Sequence, residues 1–397
     1  MYRVRTYNKI AEKGLDVLKQ AGIEYGPEIE NPDAIIARSA KLNDLDFGTN
    51  LKAIARAGAG YNNIPVDRCS EVGIVAFNTP GANANSVKEL VISGLLLSSR
   101  RIVEGIEWTR SLAGKGDELN VLVEKNKSSF AGPEIAGKTL GVIGMGAIGV
   151  MVCNAAEALG MRVIGHDPYL SVESAWGLSR TVERAETAEA LYSQSDFISL
   201  HVPLNGDTRA MLNSAAFGRM KKGVRILNFA RGGLVDDDAL LAAIADETVA
   251  CYVTDFPTDR LVANEKVLPI PHLGASTPEA EENCAVMAAR QLRDYLFTGN
   301  VVNSVNFPDC VMQPAENERI TIANRNIPNM VGQITAILAA ENRNILDLLN
   351  RHREELAYNI IDVDGKLAED AMQRMRAIEG VLMVRELRTV TSQGTAE

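Results

Sequence analysis

Two residues invite a chemical reading first, because each follows an apolar run that reads as a β-strand. His272 lies in Pro271-His272-Leu273-Gly274-Ala275-Ser276-Thr277, directly after Val267-Leu268-Pro269-Ile270. Arg231 follows Leu227-Asn228-Phe229-Ala230 and precedes Gly232-Gly233. An imidazole can take up or release a proton near neutral pH, although taken alone this ring could equally be structural. A guanidinium fork binds a carboxylate through two parallel hydrogen bonds. Ligands bind beyond the carboxyl ends of strands in open α/β sheets, so both positions are candidates. Only four histidines are present in the chain. His201, ending Phe197-Ile198-Ser199-Leu200, borders the predicted cofactor crevice. His166 lines an adenosine pocket or packs, and His352 sits in a polar, exposed run.

A glycine pattern supplies the second chemistry. Gly144-Met145-Gly146-Ala147-Ile148-Gly149 follows the strand-like Leu140-Gly141-Val142-Ile143 and opens a helical run. At such a turn, backbone N–H groups and the helix dipole meet a pyrophosphate. The next strand, Arg162-Val163-Ile164-Gly165-His166-Asp167, ends on an acid 18 residues past Gly149. Asp167 can accept both ribose hydroxyls, and its charge repels a 2′-phosphate. The expectation is NAD rather than NADP.

The elements that must position these residues alternate regularly. From residue 1 to about 80, buried strands are predicted at Ala34–Arg38, Leu51–Arg56 and Gly73–Phe77, with a helix over Lys13–Gly22. A long helix is predicted after Ser86, with Ser86 and Glu89 as a capping box. Residues 114–129 are polar and read as an exposed loop. From Lys138 onward, strands and helices alternate at the spacing of βαβ units in a doubly wound parallel sheet. A helix over roughly Pro278–Phe297 follows. Residues 298–317, with Pro308 and Pro314, read as a linker. The tail then gives β-α-β-β-α-β, the ferredoxin-like order.

Composition narrows the classes. The chain has 397 residues, 46% hydrophobic and 23% charged, which excludes a disordered chain and suits two or three domains. A net charge of −10 argues against nucleic acid or an anionic membrane as partner. No stretch suits a signal peptide or a membrane span. The five cysteines show no CxxC spacing, so neither disulfides nor a metal site are expected, and the chain reads as cytoplasmic.

With these residues in hand, the sequence resembles the D-2-hydroxyacid dehydrogenase family. The resemblance is carried by Arg56-Ala57-Gly58-Ala59-Gly60, Asn78-Thr79-Pro80, Gly137-Lys138-Thr139-Leu140-Gly141, the glycine pattern, His201-Val202-Pro203-Leu204, Ala230-Arg231-Gly232-Gly233 and the His272 run, in family order. It implies a Rossmann-type domain (86–284) inserted in a flavodoxin-like substrate domain (1–85 plus 285–315), in a homodimer or homotetramer. It implies NAD as cofactor, contacted by Gly144, Gly146, Ala147, Ile148, Gly149, Asp167, His201, Val202, Pro203, Phe229, Ala230, Arg231, Asp255, His272, Gly274 and Ala275.

The family's roles place Arg231 on the substrate carboxylate and His272 on the hydroxyl proton while hydride leaves for the nicotinamide. A carboxylate normally holds that imidazole. The family pattern there is a Phe-Pro-Thr-Glu-like run, whereas this chain reads Asp255-Phe256-Pro257-Thr258-Asp259. Asp259 is the expected match, one methylene shorter, and Asp255 matches the position that meets the nicotinamide amide. Arg38, Arg56, Ala57 and Gly58 correspond to substrate-domain ligands, the two cations taking a phosphate. The implied substrate is 3-phosphoglycerate, at the entry to L-serine synthesis. Glyoxylate or hydroxypyruvate reduction, and an NAD-sensing corepressor-like scaffold, are the alternatives.

The tail (316–397) resembles an ACT domain, a ferredoxin-like module that binds amino acids. Asn326 and Asn344 match effector-holding positions, because an amide offers donor and acceptor to a zwitterion such as L-serine. Asn324 and Asn329 depart from the usual histidine and glycine.

Overall fold

A parallel sheet at the start of the chain has short alanine- and isoleucine- or valine-containing runs, buried on both faces, at its centre and one edge, and a more exposed strand at the other edge. Its strands are β1 (Arg3–Tyr7), β2 (Glu24–Gly26), β3 (Ala34–Ala37), β4 (Ala53–Arg56) and β5 (Val75–Phe77), in the order β2-β1-β3-β4-β5. That is the flavodoxin-like order. All four residues of β3 are buried, as strands covered on both faces require. The structure, a computed structural model, describes residues 1–313 and 317–387. It divides into two units, residues 1–82 with 281–397 and residues 83–280. The boundary expected at 315/316, with Pro314, lies outside the described residues.

The second unit begins with α1 (Ala84–Ser99). The expected capping box is absent there. Asn83 is the N-cap, Ser86 is buried inside the first turn, and Glu89 accepts a bond from Asn85 instead. The expected loop is corrected as well, since Glu118–Asn126 is helical. Leu119, Leu122, Val123 and Asn126 are half-buried at helical spacing within that polar stretch. Beyond it run β6 (Thr139–Ile143), α2 (Ala147–Ala158), β7 (Arg162–His166), β8 (Glu183–Arg184), β9 (Phe197–Leu200), β10 (Val224–Asn228), β11 (Val249–Thr254) and β12 (Val267–Pro269). Every pairing is parallel, in the order β12-β11-β10-β9-β6-β7-β8. Renumbered from β6, this is the 3-2-1-4-5-6 doubly wound order with one strand added.

The first unit resumes in α3 (Pro278–Thr298), whose Ala285, Ala288, Leu292 and Tyr295 enter the core beneath the first sheet. Then come β13 (Glu318–Arg325), α4 (Met330–Ala340), β14 (Ile345–Arg353), β15 (Leu356–Val363), α5 (Glu369–Arg376) and β16 (Val381–Leu387). The strand order β14-β15-β13-β16 with antiparallel pairing is the ferredoxin-like arrangement. One face of this sheet packs Ile320, Ile322 and Ile361 against α4 and α5. The other contributes Ala323, Tyr358 and Ile360 to the core that holds α3. Two buried arginines fasten that contact. Arg319 makes a bidentate pair with Asp362 at 2.7 and 2.9 Å and donates to the carbonyls of Thr298, Met312 and Gln313. Arg385 donates to the carbonyls of Tyr295 and Leu296 near the end of α3.

Candidate active site and cofactor cradle

The three glycines of the sequence pattern each meet a separate steric demand. Gly144 has φ +87°, and an added Cβ would lie 2.6 Å from the carbonyl oxygen of His201. Gly149 packs α2 against β6, where a Cβ would stand 2.0 Å from the Gly144 carbonyl. Gly146 is the N-cap of α2 and faces open space, with no atom within 4 Å of an added Cβ. Helix packing therefore explains Gly149, the sharp turn explains Gly144, and only Gly146 is left clear for an approaching ligand. Ala147 and Ile148 form the first turn behind it.

Asp167 lies one residue past β7 and holds this turn in place. Its Oδ2 accepts the Met145 N–H at 2.8 Å and its Oδ1 accepts the Tyr169 N–H at 2.8 Å. A cleft lined by Met145, Asp167, Pro168, Leu170, Leu178 and Val182 opens beside it. A carboxylate in a partly apolar cleft at a strand end suits a ribose. His166 turns the other way, its Nδ1 3.0 Å from the Ala185 carbonyl oxygen, so it packs rather than lining the cleft.

His201 lies just past β9. Its backbone N–H donates to Ile143 at 2.7 Å, and its Nε2 lies 2.8 Å from the Ser199 hydroxyl. Burial pushes its pKa down to about 4, so the ring is neutral at physiological pH. Val202 and Pro203 continue the same edge.

Beyond β10, the buried side chain of Asn228 shapes the turn that carries Arg231. Its Oδ1 accepts the N–H groups of Ala230 and Arg231, and its Nδ2 donates to the Arg231 carbonyl at 2.8 Å and to the Tyr252 hydroxyl at 3.1 Å. Sequence reasoning passed over Asn228. The available signal was an amide inside an apolar run just before a charged residue. Phe229 is buried beside α1, and the exposed guanidinium of Arg231 is hydrogen-bonded to the Ala230 carbonyl at 2.6 Å.

Past β11, Asp255 is only 1% exposed. Its Oδ2 accepts the Gly274 N–H at 3.1 Å, while Oδ1 is buried without a partner. Burial raises its pKa, opposed by the Gly274 N–H and by the charges of His272 and Arg231. Those opposing charges place Asp255, His272 and Arg231 in one electrostatic neighbourhood. His272 stands past β12, exposed, with its ring 4.7 Å from that of Phe256. Gly274 is buried and Ala275 half-buried in the same loop.

The expected Asp259–His272 pair is not formed. Asp259 is exposed, and no hydrogen bond or ion pair joins it to His272 among the described residues. Its neighbours explain why. Thr258 donates to Asp237 at 2.7 Å and Arg260 pairs with Asp238, tethering this segment to the start of the helix Asp237–Ala245.

In the other unit, Arg38 follows β3 and Arg56 ends β4. The Arg56 Nε donates to the Arg38 carbonyl at 3.1 Å, and Arg38 pairs with Glu281 at 2.7 Å. Ala57 is buried. Gly58 lets the Arg56 guanidinium fold back, since a Cβ there would lie 2.2 Å from its Nη1. In the tail, Asn326 donates to the Glu354 carbonyl, whereas the Asn344 N–H donates to Asp364. These contacts lie at opposite ends of β15, so one chain does not bring the two amides together. Among the described residues no cluster could hold a metal ion, and no helix is long and apolar enough to cross a membrane.

A doubly wound sheet with a glycine cradle and an acid after its second strand defines a dinucleotide-binding domain, and here an arginine and a histidine stand past later strands of the same sheet. Residues 92–274 match the family model described as D-isomer specific 2-hydroxyacid dehydrogenase, NAD binding domain. The chain is 32% identical over 361 residues to the D-3-phosphoglycerate dehydrogenase of Synechocystis sp., covering 84% of this chain and 61% of the relative. It is 34% identical over 330 residues to the D-3-phosphoglycerate dehydrogenase of Methanocaldococcus jannaschii, covering 78% and 60%. It therefore spans about 60% of the length of these curated relatives. The NAD+-bound 3-phosphoglycerate dehydrogenase of Entamoeba histolytica shares the fold with a TM-score of 0.60 at 27% identity, covering 77% of this chain and 98% of that one.

Proposed function

We propose that the protein oxidises D-3-phosphoglycerate to 3-phosphohydroxypyruvate with NAD, the first step of L-serine synthesis. The observation that carries this reading is the placement of Arg231 and His272 past β10 and β12, in the sheet that presents the Gly146 cradle. Gly146, Asp167 and the unpartnered Oδ1 of Asp255 fit a bound dinucleotide, the last as acceptor for an amide N–H. When bound, NAD supplies a hydride acceptor. Arg231 holds the substrate carboxylate and carbinol oxygen, and His272 takes the hydroxyl proton. Arg38 and Arg56 take the phosphate. The matches to D-3-phosphoglycerate dehydrogenases over most of the chain support that substrate.

Consumption of NADH with 3-phosphohydroxypyruvate tests the reading. His272→Ala abolishes turnover while NAD still binds; retained turnover would sink the proposed role, and no turnover by the wild type would leave an NAD-sensing scaffold. Glyoxylate or hydroxypyruvate reduction is the second reading, one that would leave the Arg38–Glu281 pair undisturbed.

The tail is assigned as an ACT-like regulatory domain in a homodimer or homotetramer that works in a reducing compartment, where unpaired cysteines are stable. A site using both Asn326 and Asn344 would be shared between copies. L-serine lowers activity through this domain without competing with substrate. Inhibition that survives truncation near residue 315, or that substrate fully overcomes, would reject this.

A further inference from the structure

Glu281 stands in the first turns of α3, with its carboxylate 2.7 Å from the Arg38 guanidinium. The two side chains are 41% and 39% exposed, so an anion in solution can reach them. Cys284, one turn further along α3, reports the charge cluster around it. Burial raises its thiol pKa most, Arg56 and Arg38 oppose that rise, and Glu281 adds to it. Two cations and one carboxylate thus share the surface past β3 and β4.

We propose that Glu281 is an internal counter-ion that occupies Arg38 until a phosphate dianion displaces it, and so sets how tightly that dianion is held. The inference rests on the phosphate-binding role given to Arg38 and Arg56 above. A phosphomonoester carries nearly two charges at neutral pH and three acceptor oxygens, so it competes well with one carboxylate for a guanidinium. A neutral or singly charged substituent gains little by the exchange. Glu281 therefore weakens the site for every anion, because its charge competes for Arg38 and repels the incoming ligand, and only an anion that gains more from the guanidinium than the carboxylate does displaces it. It acts through Arg38 and takes no part in the proton or hydride transfer.

The test is calorimetric titration of the full chain with inorganic phosphate and with 3-phosphoglycerate. Glu281→Gln should tighten both dissociation constants about two- to fivefold, the range of an exposed ion pair. Glu281→Asp, which keeps the charge, should stay near the wild type. Glu282→Gln is the control, because Glu282 pairs with Lys13 one residue away and should leave both constants unchanged. A gain of affinity cannot come from lost structure, so tightening by Glu281→Gln alone supports the inference. Phosphate binding that is unchanged or weaker in Glu281→Gln overturns it while leaving the substrate reading intact. Equal tightening by Glu282→Gln also overturns it, because that would be general electrostatics. Binding by Glu281→Gln but not by the wild type supports the counter-ion and defeats the phosphorylated substrate. Absence of binding by both defeats the counter-ion together with the phosphate reading.

Discussion

Asp255 and Gly274 are joined by a 3.1 Å hydrogen bond that ties the end of β11 to the loop carrying His272. The other oxygen of the same carboxylate is buried without a partner. One side chain thus fixes the loop of the proposed proton acceptor and presents an unpaired acceptor where a nicotinamide amide is expected.

Asp255→Asn tests both functions. The folded protein binds the Asp255 proton more tightly than the unfolded chain does, since burial raises its pKa above 3.8. Stability therefore falls as pH rises from about 3.8 through the raised value, and above it the wild type carries the full cost. The Asn variant carries none, so its Tm should equal or exceed that of the wild type at pH 7–8 and lose this advantage in acid. Turnover should drop at least about tenfold because the amide contact is lost. A variant that is less stable at neutral pH would contradict the burial argument.

Asp259→Asn separates the two carboxylates. Because Asp259 faces solvent and its neighbours are tethered to Asp237 and Asp238, turnover should change less than about threefold, the scale of one exposed contact. A loss of a hundredfold would show that the segment swings in to hold His272 during catalysis.

Asp167→Ala should relax cofactor choice. The carboxylate already caps the Met145 and Tyr169 N–H groups, and its charge opposes a 2′-phosphate. The KM for NAD should rise about tenfold or more, as expected on losing a charged hydrogen bond, while the KM for NADP falls. Parallel rises for both cofactors would point to collapse of the turn instead.

His201 makes the nucleotide unit acid-sensitive. Its pKa of about 4 lies below the usual 6.5, so the unfolded chain binds its proton first. The stability it contributes is complete above pH 6.5 and is lost as pH falls toward 4, by at most about 3 kcal/mol. His201→Gln should flatten the fall in Tm across that window. An equally steep fall in the variant would assign it to other groups.

Local pattern carried the parallel strands and the glycine turn, because both depend on near neighbours in sequence. Thr139–Ile143 and Ala147–Ala158 follow from an apolar run, a glycine turn and helical spacing. What failed depended on distant contacts or on weak periodicity. Ser86 has the capping spacing, yet the helix starts earlier, at Ala84. Leu119, Leu122 and Val123 were masked by surrounding glycines and charges. Asp259 aligned with an expected carboxylate, but bonds from its neighbours to Asp237 and Asp238, 21 and 22 residues away, decide where that segment lies. Asn228 offered only an amide inside an apolar run, because the Arg231 turn and the Tyr252 hydroxyl that define its role are brought to it by folding.

Arg319 and Asp362 offer a last prediction, on how the four-stranded sheet is fastened to α3. Both side chains are almost fully buried, at 1% and 3% exposure, so the pair is barely screened by salt. Removing one partner strands a charge in a low-dielectric interior, which costs about 3–5 kcal/mol. Arg319→Met and Asp362→Leu should each lose stability on that scale in urea unfolding of the full chain. The double variant strands no charge, yet it gives up the guanidinium that bridges the carbonyls of Thr298, Met312 and Gln313. It should therefore be less stable than the wild type, but by at least about 2 kcal/mol less than the two single losses added together. Strict additivity would mean that the ion pair itself contributes nothing and that Arg319 serves only as a bridge between carbonyls. A double variant as stable as the wild type would mean that those carbonyls find water, and that Arg385 alone holds the sheet to Tyr295 and Leu296.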